Sequence, residues 1–132
     1  MTISRIAMAA SLIAAIVLAG CAPTQVRNVS DAPVVSNKAL TMDEVQAAIT
    51  RAGTSLGWIM LEQGPGEIQG TLRLRSHVAI VDITYDTETY NIQYVESTNL
   101  NYNAEKGTIH KNYNGWIQNL DNAIQRELAA IL

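Results

Sequence analysis

Glu67 to Tyr94, EIQGTLRLRSHVAIVDITYDTETYNIQY, decides the fold. In its first nine residues Ile68, Gly70, Leu72 and Leu74 alternate with Glu67, Gln69, Thr71, Arg73 and Arg75. A two-residue period is that of a strand with one face in a core. His77 to Tyr85 is rich in β-branched residues, and from Tyr90 to Ser97 the alternation returns, with Tyr90, Ile92 and Tyr94 on one face. A tight turn at Arg75 and Ser76 sets Leu72 opposite Ala79, Gly70 opposite Val81 and Ile68 opposite Ile83. A loop from Asp86 to Thr89 sets Tyr85 against Tyr90, Ile83 against Ile92 and Val81 against Tyr94. All these pairs fall on one face, and a slip of one residue would scatter them. Trp58 to Gln63, ending at the turn signal Gly64-Pro65-Gly66, adds a strand in front. The expected sheet is a four-stranded antiparallel meander.

Helices flank it. Thr41-Met42-Asp43-Glu44 fits a capping box. Val45, Ala48, Ile49 and Ala52 then recur at helical spacing, which predicts a helix over about 42–55, ended by Gly53 and Gly57. Tyr113, Ile117, Leu120, Ile124, Leu128 and Ile131 form the apolar stripe of a second helix over about 111–130. Gln118, Asn119, Asp121, Asn122 and Gln125 lie largely off that stripe. Both helices are expected on the Leu72 and Val81 face. The fold class is α+β, ordered α-β-β-β-β-α.

The N-terminal part has a different character. A single positive charge, Arg5, precedes the run Ile6 to Val17, which is apolar apart from Ser11, and small residues lead into Cys21. A charged start, a short apolar core and a small-residue cleavage site make a secretory signal. The run is short for a membrane span, which needs about 20 residues. Leu18-Ala19-Gly20-Cys21 resembles the lipobox of bacterial lipoproteins, a resemblance that covers residues 1–21 only. It implies a diacylglycerol thioether on Cys21, cleavage before it by signal peptidase II, and acylation of the new amine, with palmitate the expected chain. Ala22, where Asp would mark retention at the inner membrane, resembles the outer-membrane class. The expected division is a signal peptide over 1–20, a lipidated N-terminus and flexible tether over 21–39, and a periplasmic domain over 40–132. Pro23, Asn28, Ser30, Asp31, Pro33, Ser36 and Asn37 give the tether its linker character, and such a coil spans about 25 Å.

Composition narrows the chemistry. Without Arg5, eight Lys and Arg remain against twelve Asp and Glu, and the basic residues are scattered along the chain. That pattern predicts neither nucleic-acid binding nor electrostatic attachment to anionic lipid. Cys21 is the one cysteine, so the domain is expected to form no disulfide, thiolate zinc site or catalytic thiol.

Candidate sites are few. The registers put Val78, Ile80 and Val95 on the sheet face away from the helices, joined by Ile59, where an antiparallel sheet is normally polar. Either the loop from Thr98 to Ile109 covers these residues, or their exposure is scattered, or a partner binds there. Asn99 to Asn103 and Asn112 to Trp116 mix amides with rings. Tyr102, Asn103 and Asn114 suit glycan or peptidoglycan binding, and asparagines equally suit turns. His77 and His110 have no His, Asp or Glu at i+3 or i+4, so no metal site is expected. Asp82 lies mid-strand, and Asp86 and Glu88 lie in a loop, without the convergence that acid-base catalysis needs. No catalytic residues and no cofactor are expected. The expected function is a non-enzymatic, membrane-anchored protein of the periplasmic face of the outer membrane, contacting another envelope protein.

Overall fold

The computed structural model describes residues 22–132; the signal segment, Leu18, Ala19, Gly20 and Cys21 lie outside the described residues. Seven strands and two helices follow: β1 (Thr24–Gln25), β2 (Val29–Pro33), α1 (Met42–Ser55), β3 (Ile59–Gly64), β4 (Glu67–Leu74), β5 (His77–Tyr85), β6 (Thr89–Thr98), β7 (Thr108–Ile109) and α2 (Lys111–Ala129). A five-stranded antiparallel sheet has the order β2-β6-β5-β4-β3, and β1 pairs with β7 in a separate two-stranded sheet.

The meander registers are those the alternation dictates. Leu72 pairs with Ala79, Gly70 with Val81 and Ile68 with Ile83; across the next hairpin Tyr85 pairs with Tyr90, Ile83 with Ile92 and Val81 with Tyr94. The inward side chains of these rows are buried or nearly so, and they join Val45, Ala48, Ile49 and Ala52 of α1 and Tyr113, Ile117, Leu120, Ile124 and Leu128 of α2 in one core. Thr41 caps α1 and Glu44 closes the capping box. Gly70 is needed for close packing, because a Cβ there would sit 3.2–3.3 Å from Val81, Met60 and Trp58.

Three features depart from the sequence expectation. The segment taken as a flexible tether is largely part of the fold: Val29 pairs with Ile92, Ala32 with Tyr90 and Pro33 with Thr89, which makes a fifth strand. Its hydrophobic pattern is hard to see because a bulge interrupts the pairing between Val29 and Ala32, where Asp31 adopts φ 52°. Val29 is nevertheless buried, and Val26, Ala32 and Val34 pack on the core.

The second departure is Asp121, which is buried rather than off the apolar stripe. Tyr90 donates its hydroxyl hydrogen to Asp121 Oδ1, Gln125 Nε2 donates to the same oxygen at 3.3 Å, and Arg27 lies 3.8 Å from Oδ2. A buried carboxylate is tolerated only when donors surround it. Here they come from a strand, a helix and the N-terminal segment. Burial, then the hydrogen bond to Asp121, pushes the Tyr90 hydroxyl above its ordinary value and keeps it protonated as a donor.

The third lies in β6, where a bulge between the Val81–Tyr94 and Ile80–Glu96 pairs makes Val95 the extra residue. The expected partner of Ile80 is therefore replaced by Glu96. The bulge brings both Tyr94 and Ser97 to the helix side, where their hydroxyls hydrogen-bond at 2.8 Å.

Two experiments check this architecture. Val29→Ala should lower unfolding stability by about 1–2 kcal/mol through lost burial, measured by chemical denaturation, whereas a slack tether would show no change. Tyr90→Phe should cost about 1–3 kcal/mol by removing a donor from buried Asp121. Tyr113→Phe should be neutral or stabilising in the same assay, because the Tyr113 hydroxyl is buried with no partner among the described residues.

Candidate functional site

The sheet has one face under the helices and one open. Register places Ile59 and Leu61 of β3, Thr71 and Gln69 of β4, and Val78, Ile80 and Asp82 of β5 on the open face. Ile59 is 51% exposed, Leu61 54% and Val95 42%, while Val78 and Ile80 are partly covered by their neighbours. Leu61 belongs to this apolar row and escaped the sequence reading, which followed the registers only as far as Ile59.

The loop from Thr98 to Ile109 does not cover that face. It turns to the helix side, where Leu100 is buried and His110 N–H donates to Leu100 O at 2.8 Å. Tyr102 stacks on Tyr94 with ring centroids 4.2 Å apart, and Tyr94 in turn meets Tyr113 edge-on at 5.5 Å. The open face is thus left to solvent by every described element.

The amide-rich residues are engaged within the fold. Asn114 Nδ2 donates to Thr24 Oγ1 at 2.9 Å and Gln25 O at 2.7 Å, while its Oδ1 accepts from Arg27 N–H at 2.9 Å. One asparagine side chain thereby replaces the strand pairing that the N-terminal segment lacks between β1 and β2. Asn103 Oδ1 accepts from Lys106 N–H at 3.0 Å and shapes the turn before β7. Tyr102 keeps one ring edge in solvent, at 43% exposure.

Both histidines have structural partners. His77 Nδ1 lies 2.8 Å from Asn99 O, with its ring near Trp116, and His110 caps α2 by accepting from Asn112 N–H at 3.1 Å. Among the described residues no three His, Cys, Asp or Glu side chains gather as metal ligands. Asp86 Oδ1 accepts from Glu88 N–H and Thr89 N–H, both at 2.7 Å, and these bonds hold its carboxyl below the usual range. It builds its turn. A shallow groove of about 520 Å³ runs between Pro33 and Val35 on one side and Asn122, Gln125, Arg126 and Ala129 of α2 on the other. Treating residues 21–39 as slack chain hid one wall of it.

Charge is sorted along the strand axis. One end of the molecule holds the β4–β5 turn, the end of β6 and the start of α2, tied together by Asn99 Nδ2 to Ser76 O at 3.0 Å and by the His110–Leu100 bond. Arg73, Arg75, Lys106 and Lys111 are exposed there, with Glu105 the acid among them. At the opposite end the first turn of α1 meets the β3–β4 and β5–β6 turns: Gly66 lies against Met42, and Tyr85 N–H donates to Gly66 O at 2.9 Å. Asp43, Glu44, Glu67, Asp86 and Glu88 lie on these elements, with Lys38 paired to Glu44. Of the eight Lys and Arg among the described residues, Arg73, Arg75, Lys106 and Lys111 lie toward the end that holds the β4–β5 turn, while Arg27, Lys38, Arg51 and Arg126 lie elsewhere.

No protein-family model, curated protein or solved structure matches this chain. Among the described residues no helix is long and apolar enough to cross a membrane.

The acidic end has a measurable titration. Lys38 Nζ lies 3.0 Å from Glu44 Oε2, and this contact, with the Thr41 backbone N–H, holds the Glu44 carboxyl below its ordinary value. A lowered folded-state value means that its stabilisation is present above the unfolded carboxylate value and lost as pH falls through the folded one. Glu44→Gln should therefore flatten the acid limb of the stability–pH curve, read from thermal melts across the carboxylate range.

Proposed function

We propose that this chain is a lipid-anchored protein of the bacterial cell envelope that acts by binding another envelope protein through its open sheet face. The observation that carries this reading is two apolar groups on the open face, Ile59 and Leu61 on β3 and Val78, Ile80 and Val95 on β5 and β6, with Thr71 and Gln69 of β4 between them. Antiparallel sheets can leave one face to water, but that face is then polar. Apolar residues grouped on an uncovered face mark it as a contact surface.

Cys21 supplies the address. The lipobox Leu18-Ala19-Gly20-Cys21 is the site of acylation, with Ala22 directing the protein to the periplasmic side of the outer membrane. Two or more acyl chains anchor stably where one binds reversibly. Confinement to a layer raises the effective concentration of the face for partners held in the same layer, so a weak contact suffices.

Glycan binding through Tyr102, Asn103 and Asn114 draws less support, because the fold itself uses the Asn103 and Asn114 amides. The reading is tested by placing a photoreactive residue at Ile80 in the native chain and irradiating intact cells. A discrete protein adduct, lost on Leu61→Lys, supports the interface, and silence at both Ile80 and Val95 overturns it. Ile80→Lys should weaken association at least tenfold with an unchanged melting temperature. A fall in melting temperature without loss of association would mark the face as structural.

A further inference from the structure

The first described strand residue, Thr24, and the exposed cations lie at the same end of the molecule. Thr24 is the first residue of β1 and pairs with Ile109, directly before the His110 cap of α2. Pro23 lines a cleft with Asn101, Asn103, Lys106, Thr108 and His110. From Cys21 to Thr24 the chain can reach at most about 11 Å. A slack tether over residues 21–39 would let the domain tumble; a folded chain from Thr24 onward does not.

Four cations occupy this end. Arg73 and Arg75 flank Leu74 at the tip of the β4–β5 hairpin, with Leu74 46% exposed between them. Arg75 holds a left-handed φ of 58°, a conformation that glycine or asparagine adopts more readily. Lys106 lines the Pro23 cleft, and Lys111 follows His110 of the same cleft. None of the four makes an ion pair within the described residues, whereas Arg27, Lys38 and Arg51 all do. Glu105 offsets one cation. The acids Asp43, Glu44, Glu67, Asp86 and Glu88 stand at the far end.

We propose that the end carrying Arg73, Arg75, Lys106 and Lys111 docks on the anionic phospholipid headgroups of the membrane that holds Cys21. This rests on the reading of Cys21 as the acylated residue. The partner is fixed by reach, by charge and by the exposed Leu74, which enters the interface while its flanking guanidiniums meet phosphates. The acidic end is repelled by the same surface. The strands then rise away from the bilayer, and the open sheet face looks sideways along the membrane, toward partners anchored in it. The fold thus converts a flexible lipid attachment into an oriented one.

The test uses the native lipidated protein in phosphatidylglycerol vesicles carrying a headgroup quencher. A fluorophore is placed at Ser76→Cys in the basic end or at Thr87→Cys at the acidic end; acylation leaves the introduced thiol as the one that labels. Strong quenching at position 76 and little at 87 is expected. The contrast should collapse in phosphatidylcholine vesicles, and in about 1 M salt, where screening acts within ~3 Å. Each of Arg73→Ala, Arg75→Ala, Lys106→Ala and Lys111→Ala should shift the docked-to-undocked ratio about fivefold. Salt and lipid changes keep the test valid if a variant misfolds. Equal quenching at both positions, or a contrast indifferent to lipid charge, overturns the docked orientation and leaves the anchor standing. A free Cys21 thiol by mass spectrometry overturns the anchor and the orientation together.

Discussion

Everything in this fold depends on one-sided burial of β5, held in register between β4 and β6. Its inward residues Ala79, Val81 and Ile83 are paired on both sides with inward residues and Tyr85 with Tyr90, so three strands bury one shared face. A shift of one residue in either hairpin would turn a row of side chains to water. No covalent cross-link is available to the domain, because Cys21 is the chain's one cysteine. Burial of that surface under α1 and α2 is what stabilises the fold.

The N-terminal segment is fixed by side chains more than by strand pairing. Asn114 bonds to Thr24, Gln25 and Arg27, Asn28 Oδ1 accepts from Tyr94 N–H at 2.9 Å, and Asn91 Oδ1 accepts from Asp31 N–H at 2.8 Å. These amides stand in for backbone partners where the bulge and the gap between β1 and β2 interrupt the ladder. Polar composition, commonly a mark of loose chain, here supplies the bonds that dock it. The buried Asp121, reached by Tyr90 and Arg27, ties the same segment to α2 and the sheet.

Docking of this segment changes what the proposed anchor at Cys21 would do. An 18-residue coil would separate membrane attachment from domain orientation; a strand beginning at Thr24 couples them. On the proposed reading, the basic end, the short reach and the open sheet face form one arrangement, in which attachment, orientation and presentation are set by the same few residues.

Much of the fold was legible in residue order, because strand and helix periods are local properties. The alternation of Ile68 to Leu74 and of Tyr90 to Tyr94 fixed the hairpin registers, the Thr41–Glu44 box fixed the start of α1, and the apolar stripe of α2 fixed its bounds to within a residue. The bulge at Val95, the strand at Val29–Pro33 and the burial of Asp121 were not legible. Each depends on a partner at least 14 residues away: Ile80 for Val95, Ile92 for Val29, and Tyr90 for Asp121. The candidate site divides likewise. Sequence alone determined that apolar residues stand on the outer sheet face, since two-residue periodicity assigns faces without regard to what covers them. Tertiary structure decided that the Thr98–Ile109 loop leaves that face open, and that four cations separated in sequence lie toward one end. Where loops travel, and which distant charges become neighbours, follows from packing in space, which no local spacing encodes.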